Sequence, residues 1–167
     1  MNSERLLKLA DLLEADAARP EGIKFDLGIV IKPEGPINDD EKVVKVDCGT
    51  HACAMGLAVI SRAFTDAGLD YVIDHVWETI DIQINGESQE WDEAAGKIFG
   101  LAENEVEFLF TTQGYPGEAM AGADAERQVA QRIRELVAGT WVAPPLPEDW
   151  WDDPDDYDDE EPGAGCR

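Results

Sequence analysis

In a chain whose residues are 30% charged, the nine residues 52–60, Ala-Cys-Ala-Met-Gly-Leu-Ala-Val-Ile, carry no charge at all. A run of that kind must be covered on all sides, so it marks the centre around which the rest folds. Its composition predicts a helix. Thr50 is a good N-cap, Cys53, Leu57, Ile60 and Phe64 share one face, and Ala52 and Gly56, four apart, leave room for another backbone. Gly68 stands where a C-terminal cap belongs.

Around this centre the spacing predicts an α+β domain: a small antiparallel sheet, about five short helices and one buried central helix. Ser3 can cap a first helix with Leu6, Leu9, Leu13 and Ala17 inward, ended by Arg19-Pro20 and Gly22. Residues Phe25 to Ile31 read as one strand and Val43–Val46 as its hairpin partner across a long loop. Ile80, Ile82 and Ile84 alternate with Asp81 and Gln83 before Asn85-Gly86, a hairpin signal. Asp92 opens a short helix closed by Gly100, Glu103–Phe110 forms another, and Asp124 to Ala138 a last one stopped by Gly139.

Charge sets the functional classes. The chain has 13 Lys+Arg against 37 Asp+Glu, a formal net charge of −24, so direct binding to a phosphate backbone or an anionic membrane is disfavoured. No apolar run approaches the roughly 18 residues that span a bilayer, and charges interrupt residues 1–16, so a cytoplasmic protein is expected. The acids are uneven: residues 148–167 hold 10 of them and one Arg. The Pro-rich stretch Ala143-Pro144-Pro145-Leu146-Pro147 precedes that run, which places a boundary between a folded unit, 1–143, and an extended, disordered acidic tail, 144–167. Trp150, Trp151 and Tyr157 within the tail are candidate anchors for a partner.

One constellation could carry chemistry: Asp47-Cys48-Gly49-Thr50-His51-Ala52-Cys53. Three readings of it compete. In the first, the cysteines are buried thiols, Gly49 makes a turn and Thr50 a cap, so the motif fixes a strand-to-helix corner, with Gly56 packed close. In the second, Cys48, His51 and Cys53 hold zinc with His75 as a fourth ligand, although the spacing is not the paired C-x2-C of common zinc folds. In the third, Cys48 or Cys53 at a helix N-terminus is a nucleophile, with His75 as base and Asp74, Glu78 or Asp81 as its orienting acid. Asp47-Cys48-Gly49 before an Ala-rich helix resembles the start of papain-like cysteine peptidases of the bacteriocin-processing type. Two extra residues precede the helix here, and His75 follows Cys48 by only 27 positions.

A second resemblance spans more of the chain. Cys48-Gly49-Thr50, Cys53 and Gly56, then Ile98-Phe99-Gly100-Leu101, Glu105 with Leu109-Phe110, and a closing helix ending Ala138-Gly139-Thr140-Trp141 resemble a group of small uncharacterised proteins of bacteriophages, prophages and plasmids. The matching blocks lie within residues 5–141, and the resemblance implies a mobile-element accessory protein without a known activity. Met55, His51, Ala102 and the acidic tail depart from the group's pattern. Taken with the charge, this leads to an expected role in binding a host or phage protein with a basic surface, as an anionic decoy and without a cofactor. A thiol-dependent hydrolase or a small zinc protein centred on Cys48 and Cys53 is the alternative.

Overall fold

The computed structural model describes residues 1–33, 50–74, 79–116 and 120–147. The uncharged run is the centre that its composition demands: each of residues 52–60 is buried. Their backbone, however, divides between two elements. Residues Thr50–Ala52 form a strand, and the helix covers Ala54–Ile60. Thr50 is therefore no helix cap, because pairing on both sides draws residues 50–52 into a sheet and delays the helix to Ala54. Cys53 takes the N-cap position, without a side-chain capping bond.

Six strands and five helices follow in chain order among the described residues: α1 (Ser3–Ala17), β1 (Lys24–Phe25), β2 (Ile31–Pro33), β3 (Thr50–Ala52), α2 (Ala54–Ile60), β4 (Leu69–Asp74), β5 (Thr79–Ile84), β6 (Glu87–Ser88), α3 (Trp91–Phe99), α4 (Glu103–Phe110) and α5 (Gly122–Ala138). The α+β class holds, with the strands shared between two three-stranded sheets. One has the order β1-β3-β2, in which β3 runs parallel to β1 and antiparallel to β2. The other, β4-β5-β6, is antiparallel throughout.

The single strand expected over Phe25 to Ile31 is broken. Asp26 Oδ1 accepts from Gly28 N at 2.8 Å and Asp26 O from Ile29 N at 3.2 Å, a turn that separates β1 from β2. The expected partner strand, Val43–Val46, lies outside the described residues. Asn85-Gly86 does form the β5–β6 turn, with φ of 54° and 85°, the left-handed pair that a two-residue hairpin needs.

α2 ends at Ile60, and Gly68 closes a separate 3-10 turn over Thr65–Ala67. The other helix boundaries differ from expectation by one or two residues, for local reasons. Asn2, not Ser3, caps α1, its Oδ1 accepting from Arg5 N at 3.1 Å. α3 starts at Trp91 after Glu90, which puts Asp92 inside the first turn instead of at the cap. α4 lacks a capping hydroxyl at Ala102, and Glu105 reaches back to accept from Ala102 N at 2.8 Å. Gly100 and Gly139 close α3 and α5 in the left-handed conformation, as placed.

The core joins these pieces. α1 packs most extensively on α5, and Arg134 links them through Asp11 at 2.8 Å and Glu14 at 2.9 Å. Phe64, Phe99 and Phe110 form an aromatic line through the interior, with ring centroids 5.4 and 6.0 Å apart. The N-terminus is tied to this line: Asn2 N donates to Phe99 O at 2.6 Å, and Arg5 Nη1 to Ile98 O at 3.0 Å, so α1 caps the end of α3. No helix of the described residues is long and apolar enough to cross a membrane.

Candidate functional site

The strand-to-helix corner is held by backbone bonds. Cys53 N donates to Ile29 O at 2.6 Å and Val30 O at 3.3 Å, which ties the start of α2 to the segment entering β2. The close approach depends on Gly56: a Cβ there would stand 1.7 Å from Val30 O. Cys53 itself is 1% exposed and sits at the floor of a shallow cleft of about 220 Å³, beside Leu27, Val30, Trp91, Phe110 and Thr111.

Burial pushes the Cys53 thiol up from its ordinary pKa. The backbone N–H groups of Gly56 and Met55 at the helix start oppose this, and the negative charge of Asp26 adds to it. Desolvation wins, so the helix N-terminus does not produce a reactive thiolate here. Cys53 is a packed core residue. Cys48, Gly49 and His75 lie outside the described residues, as do Glu78 and the anchors Trp150, Trp151 and Tyr157. Asp74 ends β4 and Asp81 lies in β5, where its carboxylate accepts from Ser88 and Gln83.

Of the four proposed zinc ligands, His51 and Cys53 lie among the described residues. His51 is the more exposed of the two. It occupies the middle of β3, level with Lys24 of β1 on one side and Lys32 of β2 on the other. Directly paired residues share a face of a sheet, so His51 stands between two lysine positions on its face. No group of three His, Cys, Asp or Glu side chains arranged to hold a metal occurs among the described residues.

A different part of the chain is built with more polar detail, and no local sequence signal marks it. The segment after α5 is strapped to the domain beyond the expected boundary at residue 143. The Arg132 guanidinium lies 4.9 Å from the Tyr115 ring and 4.8 Å from the Trp141 ring, and its Nη1 donates to Gly114 O at 3.1 Å. Further on, Asn104 Nδ2 on α4 donates to Ala143 O at 3.3 Å and Pro144 O at 3.0 Å. Pro144 and Pro145 lack N–H groups, so their segment cannot join a ladder and is held through its carbonyls. Leu146 ends half-buried against α3 and α4.

Two buried carboxyls also escaped the sequence reading, although helical spacing marks both. Asp16 continues the Leu6, Leu9, Leu13 stripe, accepts from Ile23 N at 2.9 Å and pairs with Arg19. Glu126 precedes Val129 and Ile133 on the inner face of α5 and is 2% exposed. Its Oε1 is buried without a hydrogen-bond partner. Burial raises its pKa to about 7, with the positive charges of Arg127 and Arg19 working against the rise.

Compared with known proteins, the chain matches no family model, no curated protein and no solved structure.

Proposed function

We propose that the chain is an acidic, protein-binding accessory factor of the mobile-element kind its motifs resemble, and that it works as an anionic decoy for a basic surface on a host or phage protein. The observation that carries this reading is the strap. Arg132 holds Trp141 and Asn104 holds Ala143 and Pro144, so the described chain is tied to the domain shortly before the run of 10 acids in residues 148–167 begins. A block of carboxylates tethered to a folded domain favours encounter with a cationic partner. Trp150, Trp151 and Tyr157 supply aromatic anchors within the same run.

Competition tests it. A basic, histone-type protein is loaded with fluorescent duplex DNA, and the chain is titrated in. The intact chain displaces the DNA, and a full-length variant with the ten acids of residues 148–161 changed to Asn and Gln needs at least about tenfold more protein to do so. Equal displacement by both, or none by either, rules out the tail as the decoy.

A further inference from the structure

Helices α3 and α4 leave a groove of about 210 Å³ between them, in contact with the end of the strap. Gly96, Leu101 and Val106 make its apolar floor, and Leu146 lines it from the end of the strap. Its rim is anionic: Asp92 and Glu93 from α3, Glu103 and Glu107 from α4. The neighbouring cation, Lys97, is engaged by Glu93 at 3.2 Å and by Gln89.

We infer that this groove is a docking site for a short amphipathic segment of a partner protein, one whose apolar side chain enters the floor while flanking Lys or Arg residues meet the rim. Charge complementarity chooses that occupant. With Glu93 engaged by Lys97, the carboxylates of Asp92, Glu103 and Glu107 around an apolar floor complement a cationic segment and repel both a second copy of this chain and its own acidic run. The described chain ends at Pro147, one residue beyond the lining residue Leu146. The inference deepens the decoy reading and rests on it, because it gives the basic partner a seat on the folded domain: the tail attracts, and the groove selects.

The probes are a Lys/Leu amphipathic peptide and a scrambled peptide of the same composition, each titrated into the full chain at fixed salt. The pattern-bearing peptide is expected to bind at least about tenfold tighter, and to perturb the NMR signals of Gly96, Leu101 and Val106. Asp92→Asn with Glu103→Gln and Glu107→Gln should abolish that preference. Asp92 and Glu103 also sit in first helical turns, so retained folding of the variant is checked by its unfolding curve. A second variant, Gly96→Leu, fills the floor without touching charge and should reduce the preference likewise.

Equal binding of both peptides, lost on neutralising residues 148–161 but untouched by the groove variants, would overturn the groove and leave the decoy standing. A preference lost in the groove variants but indifferent to tail neutralisation would support the groove and remove the tail from the account. No binding of either peptide overturns both.

Discussion

The missing side chain of Gly56 is what allows the carbonyl of Val30 to lie against the central helix, since a Cβ on Gly56 would come within 1.7 Å of that oxygen. Ala52 Cβ and Ile31 Cγ1 would each stand 2.9 Å from it as well. The β1-β3-β2 sheet and α2 are thus joined at a point where no side chain fits.

Gly56→Ala should therefore destabilise the fold, even though Ala is the better helix former. The contact is with backbone, which cannot swing away, and overpacking of this kind costs about 1–3 kcal/mol or more. Gly96→Ala in α3 is the control, because the nearest atom to its added Cβ is Leu101 O at 3.6 Å, an ordinary contact. That variant should gain about 0.5–1 kcal/mol. Urea unfolding of the pair measures the difference, and equal effects would refute the packing argument.

Cys53 should behave as a core atom. In a Cys48→Ala, Cys166→Ala background, the remaining thiol should react with an aromatic disulfide reagent only as fast as the protein opens, and completely once denatured. A rapid phase in native buffer would show an accessible thiolate and revive Cys53 as a nucleophile.

Glu126 sets a pH dependence whose sign is fixed. Its carboxyl holds a proton up to about pH 7 in the folded chain but releases it near 4.5 when unfolded. Between these values the folded state binds more protons, so the Glu126 contribution lowers stability as pH rises through that window and is constant above it. The loss is on the order of 3 kcal/mol. Glu126→Gln should abolish this component, so the variant should be more stable than wild type at pH 8 and the advantage should shrink toward pH 5. A stability difference that does not change with pH would refute the assignment.

Arg132→Ala should release the strap. Two ring contacts at roughly 0.5–1 kcal/mol each, plus the bond to Gly114 O, predict a stability loss of about 2–3 kcal/mol. Amides of residues 141–146 that are not proline should exchange hydrogen faster than in wild type. Arg132→Lys keeps the charge without the planar stacking surface and should restore only part of the protection. Unchanged exchange in the Ala variant would mean that Arg132 does not hold the segment.

What could be read from sequence follows the physics of each signal. The uncharged run 52–60 announced the core, and every one of its residues is buried, because burial of that composition has no alternative. Asn85-Gly86, Gly100 and Gly139 announced their turns because left-handed backbone leaves few residue choices. The role of Thr50 was misread because a β-branched hydroxyl residue suits a cap and a strand alike, and long-range pairing with Pro33 decided between them. Arg132, Asn104 and Leu146 were invisible because their partners lie far away in sequence, Asn104 and Pro144 being 40 residues apart. Asp16 and Glu126 were legible in principle: each sits on the apolar face of its own helix, where an acid is out of place.

The most direct test of the account is the affinity of the full chain for a basic, histone-type protein, measured by calorimetry from about 50 to about 300 mM salt, with and without neutralisation of residues 148–161. Binding is expected to weaken at least about tenfold over that range in the native chain and to be mostly lost, at every salt, in the neutralised one. Absence of binding at low salt, or an affinity indifferent to both salt and neutralisation, would contradict it.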